Sequence, residues 1–78
     1  MYWWMEKLED NDSVAIYAYG LVYKVLTGKI KINKITHEIT KIKVDDNDDK
    51  PLSATFCRLV RHIIPKAGYP NVRSLATG

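Results

Sequence analysis

Hydrophobic and polar positions alternate most cleanly in the middle of the chain. There Ile30 and Ile32 interleave with Lys29 and Lys31, and further on Ile42 and Val44 interleave with Lys41 and Lys43. Two such runs, parted by a polar stretch over residues 33–37, predict an antiparallel strand pair with one buried and one wet face. Ahead of them, Tyr2-Trp3-Trp4-Met5-Glu6-Lys7-Leu8 is rich in aromatic β-formers and ends at a polar cluster over residues 9–13. Asn and Asp in that cluster supply a turn through their own side-chain hydrogen bonds. The turn leads into a second strand at Val14-Ala15-Ile16-Tyr17-Ala18-Tyr19. Gly20 marks a bend or a bulge. Residues 21–25 fit either a continuation of the second strand or a turn into the third.

After the acidic run at residues 45–49 the period changes. Leu52, Phe56, Leu59, Val60, Ile63 and Ile64 follow a 3.6-residue stripe, with Arg58, Arg61 and His62 outside it. Pro51 suits a first helical turn, and the preceding carboxylates suit the positive end of the helix dipole. Pro65 and the Lys66-Ala67-Gly68 stretch end the helix. The expected fold class is α+β: a four-stranded antiparallel β-meander with one C-terminal helix packed on one face. Residues 72–76 offer a short final strand for one edge. If Val14, Ile16 and Ala18 meet the helix, Ala15, Tyr17 and Tyr19 turn to the opposite face. The first strand carries aromatics on both faces in either phase, Tyr2 and Trp4 on one, Trp3 on the other with Met5.

Length limits this to a single domain over residues 1–78. A domain of that size buries only roughly 60% of its unfolded surface, so its core is small. Hydrophobic residues at 46% and charged residues at 27% argue against disorder. No apolar run reaches the ~18 residues a membrane span needs, no signal-peptide pattern is present, and the single cysteine precludes an internal disulfide. The expectation is a soluble, cytoplasmic domain with no membrane contact. Twelve basic against nine acidic residues give a net charge of +3, which by itself names no partner. Its layout is more informative. Lys24, Lys29, Lys31, Lys34, Lys41 and Lys43 face a lone Glu38 in the centre, and the acid sits in the turns at residues 9–12 and 45–49.

Candidate chemistry thins out on inspection. A phosphate-binding loop around Gly28-Lys29 would need glycine at Tyr23 and a hydroxyl at Ile30. A calcium loop starting at Asp46 would place Pro51 where glycine is required and Cys57 where glutamate is required. Zinc wants about four Cys or His ligands, and the chain holds Cys57, His37 and His62. Five helical residues put Cys57 and His62 about 140° apart, too far round the helix to act together. The carboxylates lie in wet turns, where nothing moves their pKa toward neutrality. We therefore expect no enzyme, no cofactor and no metal.

Two binding surfaces remain. One helix covers one face of a sheet, so the aromatic N-terminal strand is expected to expose an apolar patch of the kind that marks a partner site. Tyr2, Trp3, Trp4, Tyr17 and Tyr19 are its candidate residues, for a homodimer or for docking another protein. The alternative is single-stranded nucleic acid, with Tyr17 and Tyr19 stacking bases beside a lysine ladder of Lys29, Lys31, Lys41 and Lys43.

Overall fold

The computed structural model describes residues 2–50 and 53–76. Within them the chain forms β1 (Tyr2–Asp10), β2 (Val14–Gly20), β3 (Gly28–Asn33), β4 (Ile39–Lys43), α1 (Ala54–Ile63) and β5 (Val72–Ala76). The strands make one antiparallel sheet in the order β4-β3-β2-β1-β5. This is the expected α+β meander with one helix, and the sheet has five strands because the final segment pairs along β1.

The turns are closed by the side chains that predicted them. Asn11 Oδ1 accepts from the amides of Ser13 at 2.8 Å and Val14 at 3.0 Å. Asn33 Oδ1 does the same for Ile35 at 2.9 Å and Thr36 at 3.0 Å. Residues 21–25 fold back on themselves. Val22 and Val25 form an isolated bridge, the Val25 amide donates to the Val22 carbonyl at 2.9 Å, and Lys24 takes a positive φ of 60°.

Two glycines are required by close approach. A Cβ at Gly28 would lie 2.3 Å from the Tyr19 ring, and one at Gly20 would lie 2.2 Å from the Val25 carbonyl oxygen. Gly28 is thus the bare backbone on which Tyr19 rests.

Helix α1 begins later than the acidic run suggested. Its N-cap is Ser53, whose hydroxyl accepts from the Phe56 amide at 3.2 Å, and its first turn holds no acidic residue. The predicted roles of Pro51 and Leu52 lie outside the described residues. After Ile64, Gly68 and Tyr69 both adopt left-handed φ (75° and 53°), and the Tyr69 amide reaches back to the Ile64 carbonyl at 3.0 Å.

Phe56, Val60 and Ile64 carry the helix stripe into a core built from Trp3, Met5, Ala15, Tyr17, Tyr19, Ile30, Ile32 and Leu75. The phase of β2 is therefore opposite to the one considered above. Ala15, Tyr17 and Tyr19 face the helix, while Val14, Ile16 and Ala18 are half-buried on the other side. Strand β4 also departs from its expected alternation. It pairs Ile39 with Ile32, Lys41 with Ile30 and, across a bulge, Lys43 with Lys29. Directly paired residues share a face. Lys41 thus lies on the helix side, and Ile42 turns outward with 50% of its surface exposed.

Candidate functional site

The sheet has a helix on one face only, and its other face is organised in columns. Strand β2 runs down the middle with Val14, Ile16 and Ala18. Its register places Glu6 opposite Ala18 and Glu9 opposite Ile16 on β1, and Lys29 opposite Ala18 and Lys31 opposite Ile16 on β3. Lys43 joins the row of Lys29, and Val72 joins the row of Glu6. At one end Tyr2 stacks on Trp4 with centroids 5.9 Å apart, and Trp4 meets the edge of Tyr23 at 4.9 Å. Tyr2 is 58%, Tyr23 62% and Val72 71% exposed. Trp4, Glu6, Tyr23, Lys24, Val72 and Arg73 contribute to a shallow groove of about 200 Å³ at this end.

Of the residues expected to meet a partner, Tyr2 and Trp4 lie on this open face. Trp3, Tyr17 and Tyr19 do not, because all three are buried in the core. Trp3 packs on Phe56 of the helix with centroids 5.4 Å apart, and burying a tyrosine is cheap once its hydroxyl finds a partner. Tyr17 donates to the Pro70 carbonyl at 2.6 Å. Tyr19 donates to Asp48 Oδ2 at 2.9 Å and accepts from the Asp45 amide at 3.1 Å. One tyrosine thereby ties the segment after the helix to the sheet, and the other ties the segment before it. The face combining Tyr17 and Tyr19 with four lysines does not form. Lys29, Lys31 and Lys43 share the outer face, and Lys41 has left it. Sequence reasoning missed Tyr23, Ile16, Val72, Glu6 and Glu9 as constituents. The β1 carboxylates were legible as a period-two pair only once the bulge between Lys7 and Glu9 was known.

Two carboxylates bind their neighbours at opposite ends of β2, Asp45 buried and Asp10 exposed. Asp45 is buried; its Oδ1 accepts from the Thr27 hydroxyl at 2.7 Å and the Thr27 amide at 3.1 Å, and its Oδ2 from the Asn47 amide at 3.0 Å. Burial pushes this carboxyl up, but those donors together with the Leu21 amide outweigh it and hold the group below the usual carboxylate value. At the opposite end Asp10 binds Lys34 and Lys7, which lower its pKa in that order. Lys7 also donates to the Tyr69 carbonyl at 3.0 Å, and Lys34 sits 4.7 Å from the Tyr69 ring centroid. Cys57 is half-buried, and burial raises its thiol pKa against the opposing charge of Arg61. His37 and His62 are exposed. Among the described residues no three His, Cys, Asp or Glu side chains are grouped to hold a metal, and no helix is long and apolar enough to cross a membrane.

Burial, first of all, pushes both Tyr17 and Tyr19 up to about 12, from an ordinary value of 10.0. The negative charge of Asp10 adds to this at Tyr17, and the bond to Asp48 adds to it at Tyr19. A raised pKa gives stability that is complete below the unfolded value and is lost as pH rises through the folded one. We expect two tyrosines to resist ionisation until the pH approaches about 12. Their ionisation should coincide with loss of far-UV ellipticity. Tyrosinate absorbance followed alongside circular dichroism checks this, and full ionisation near pH 10 with the fold intact would contradict it.

No protein-family model, curated protein or solved structure matches this chain.

Proposed function

We propose that this chain is a non-catalytic interaction domain that docks protein through the open face of its sheet, with strand β1 supplying Tyr2 and Trp4. One observation carries the reading. The helix covers only one face, and the other presents a central apolar column beside an exposed aromatic cluster of Tyr2, Trp4 and Tyr23. Large apolar side chains gathered on one surface are a standard mark of a contact site, and Trp and Tyr dominate binding energy at such sites. The buried titratable groups, by contrast, are occupied in fastening the helix ends, so we assign them no catalytic role.

Ile16→Glu puts a charge in the middle of the apolar column, and Trp4→Ala removes the centre of the aromatic stack. Both residues are only half-buried, so both variants are expected to keep the wild-type circular dichroism spectrum. We expect each to weaken the association of the wild-type chain by at least about tenfold, read as solution mass by light scattering over a concentration series. Association unchanged in both variants would remove the open face from consideration as the docking surface.

A second reading, single-stranded nucleic acid, draws on Lys29, Lys31 and Lys43 lying on the same face as Trp4 and Tyr2. Glu6 and Glu9 follow the aromatics along β1, across the apolar column from the lysines, and would repel a phosphate backbone laid along that strand. That placement favours protein. An oligonucleotide titration at low salt separates the two, since phosphate binding must weaken steeply as salt is added.

A further inference from the structure

We infer that the open face is occupied by a second copy of this chain, stacked face to face about a twofold axis parallel to β2. The inference rests on the docking reading above and specifies the partner and its orientation.

Strand β2 is the central strand of five, with β1 and β3 beside it and β5 and β4 at the edges. On the open face, β1 carries Glu6 and Glu9 and β3 carries Lys29 and Lys31, on opposite sides of the apolar column. Glu6, Ala18, Lys29 and Lys43 share one row of the sheet, and Glu9, Ile16, Lys31 and Thr40 share the next.

Two stacked sheets related by a twofold can have the axis run along the strands or across them. An axis across the strands lays β1 on β1, which sets carboxylate against carboxylate and lysine against lysine. An axis along β2 exchanges β1 with β3 while keeping each row at its own height. Glu6 then faces Lys29 of the second copy, Glu9 faces Lys31, and Val14, Ile16 and Ala18 meet their own counterparts. The twofold repeats each charge pair, as a self-complementary interface requires. Facing sheets pack about 10 Å apart, a gap that a glutamate and a lysine reaching from opposite sides can span.

The charges are available for this. Among the described residues none of Glu6, Glu9, Lys29, Lys31 and Lys43 takes part in an ion pair within 4 Å. Lys29 and Lys43 sit directly opposite each other, a like-charge pair that is unfavourable within one sheet. An acidic column arriving from a second copy relieves it. No partner of uniform charge satisfies the face, because its two halves have opposite sign.

The test exchanges the charges. A double variant Glu6→Lys with Glu9→Lys, and a second one Lys29→Glu with Lys31→Glu, each place like charges across the interface. Each is expected to weaken self-association by roughly 10- to 100-fold. An equimolar mixture of the two restores opposite charges and is expected to regain the wild-type dimer mass, which also shows that both variants fold. The neutral, size-matched variant Glu6→Gln with Glu9→Gln should lose less than the reversal.

If the wild type remains monomeric up to millimolar concentration, the second copy is not the partner, and the docking reading is left to a different protein. If Ile16→Glu dissociates the dimer while the charge variants dimerise normally, the face is right and the orientation wrong. A dimer insensitive to Ile16→Glu as well overturns both readings.

Discussion

Phe56→Ala is expected to leave the chain largely unfolded at physiological temperature. The Phe56 ring is fully buried where the helix meets the sheet, 5.4 Å from the centroid of Trp3 and 5.1 Å from that of Tyr19. Truncating a buried phenylalanine costs about 3–5 kcal/mol, and losing two aromatic contacts belongs at the upper end of that range. A domain of 78 residues has about 4–12 kcal/mol in total at typical values per residue. The one helix has no second layer to fall back on. Its Val60 and Ile64 follow Phe56 on the same stripe, so a gap at Phe56 loosens the whole contact with the sheet. Denaturant unfolding monitored by circular dichroism measures the loss, and a midpoint close to wild type would show that the helix is held mainly by its ends.

The helix was easy to read because its sequence has a single apolar stripe, and one stripe admits one orientation. Phe56, Val60 and Ile64 had to point the same way, and they do. The turns were legible for a similar reason, since Asn11 and Asn33 act on amides two or three residues away. Strand β2 carried no such signal. Val14, Ile16 and Ala18 are as apolar as Ala15, Tyr17 and Tyr19, so periodicity left the phase open. The choice was made by distant partners: Pro70 lies 53 residues from Tyr17, and Asp48 lies 29 from Tyr19. The candidate site inherited that ambiguity. The strand itself pointed to Tyr2, Trp3 and Trp4 alike and left open which of them face outward, whereas Tyr23 reached Trp4 only because residues 21–25 curl back at Val22 and Val25. The four-lysine ladder failed at β4 because a bulge between two paired strands leaves no trace in the alternation of one of them.

The open face depends on these same choices. Because β2 sends its tyrosines toward the helix, its outward positions are aliphatic, and the aromatics that remain outside are confined to one end. That separation gives an apolar centre with charged columns on either side, rather than a mixed aromatic and basic surface. The anchoring of Tyr19 therefore bears on the interface as well as on stability, and Asp45 stands at the centre of that anchor.

Asp45→Asn is expected to destabilise the fold by about 2–4 kcal/mol at neutral pH while keeping almost the same shape. The carboxylate accepts on both oxygens, from the Thr27 hydroxyl, the Thr27 amide and the Asn47 amide. A carboxamide has one accepting oxygen, so in either orientation its NH2 group must point at a backbone N–H, that of Thr27 or that of Asn47. Hydrogen bonds to charged groups are worth about 1.5–3 kcal/mol, and a buried donor left unpaired adds its own desolvation cost. The loss should spread to the neighbours, because the Thr27 hydroxyl also accepts from the Asp46 amide at 2.9 Å and the Asp45 amide donates to Tyr19. The pH dependence gives an independent check. The folded pKa lies below the ordinary 3.8, so the stability this carboxylate contributes is present above that value and drains away as pH falls through the folded one. In Asp45→Asn this part of the acid dependence should vanish, leaving that of Asp10, whose pKa is also lowered. Urea unfolding of both chains from neutral pH down through the carboxylate range measures it. A variant as stable as wild type at neutral pH and equally sensitive to acid would mean that the loop before the helix is held by the aromatic core, with Asp45 only resting against it.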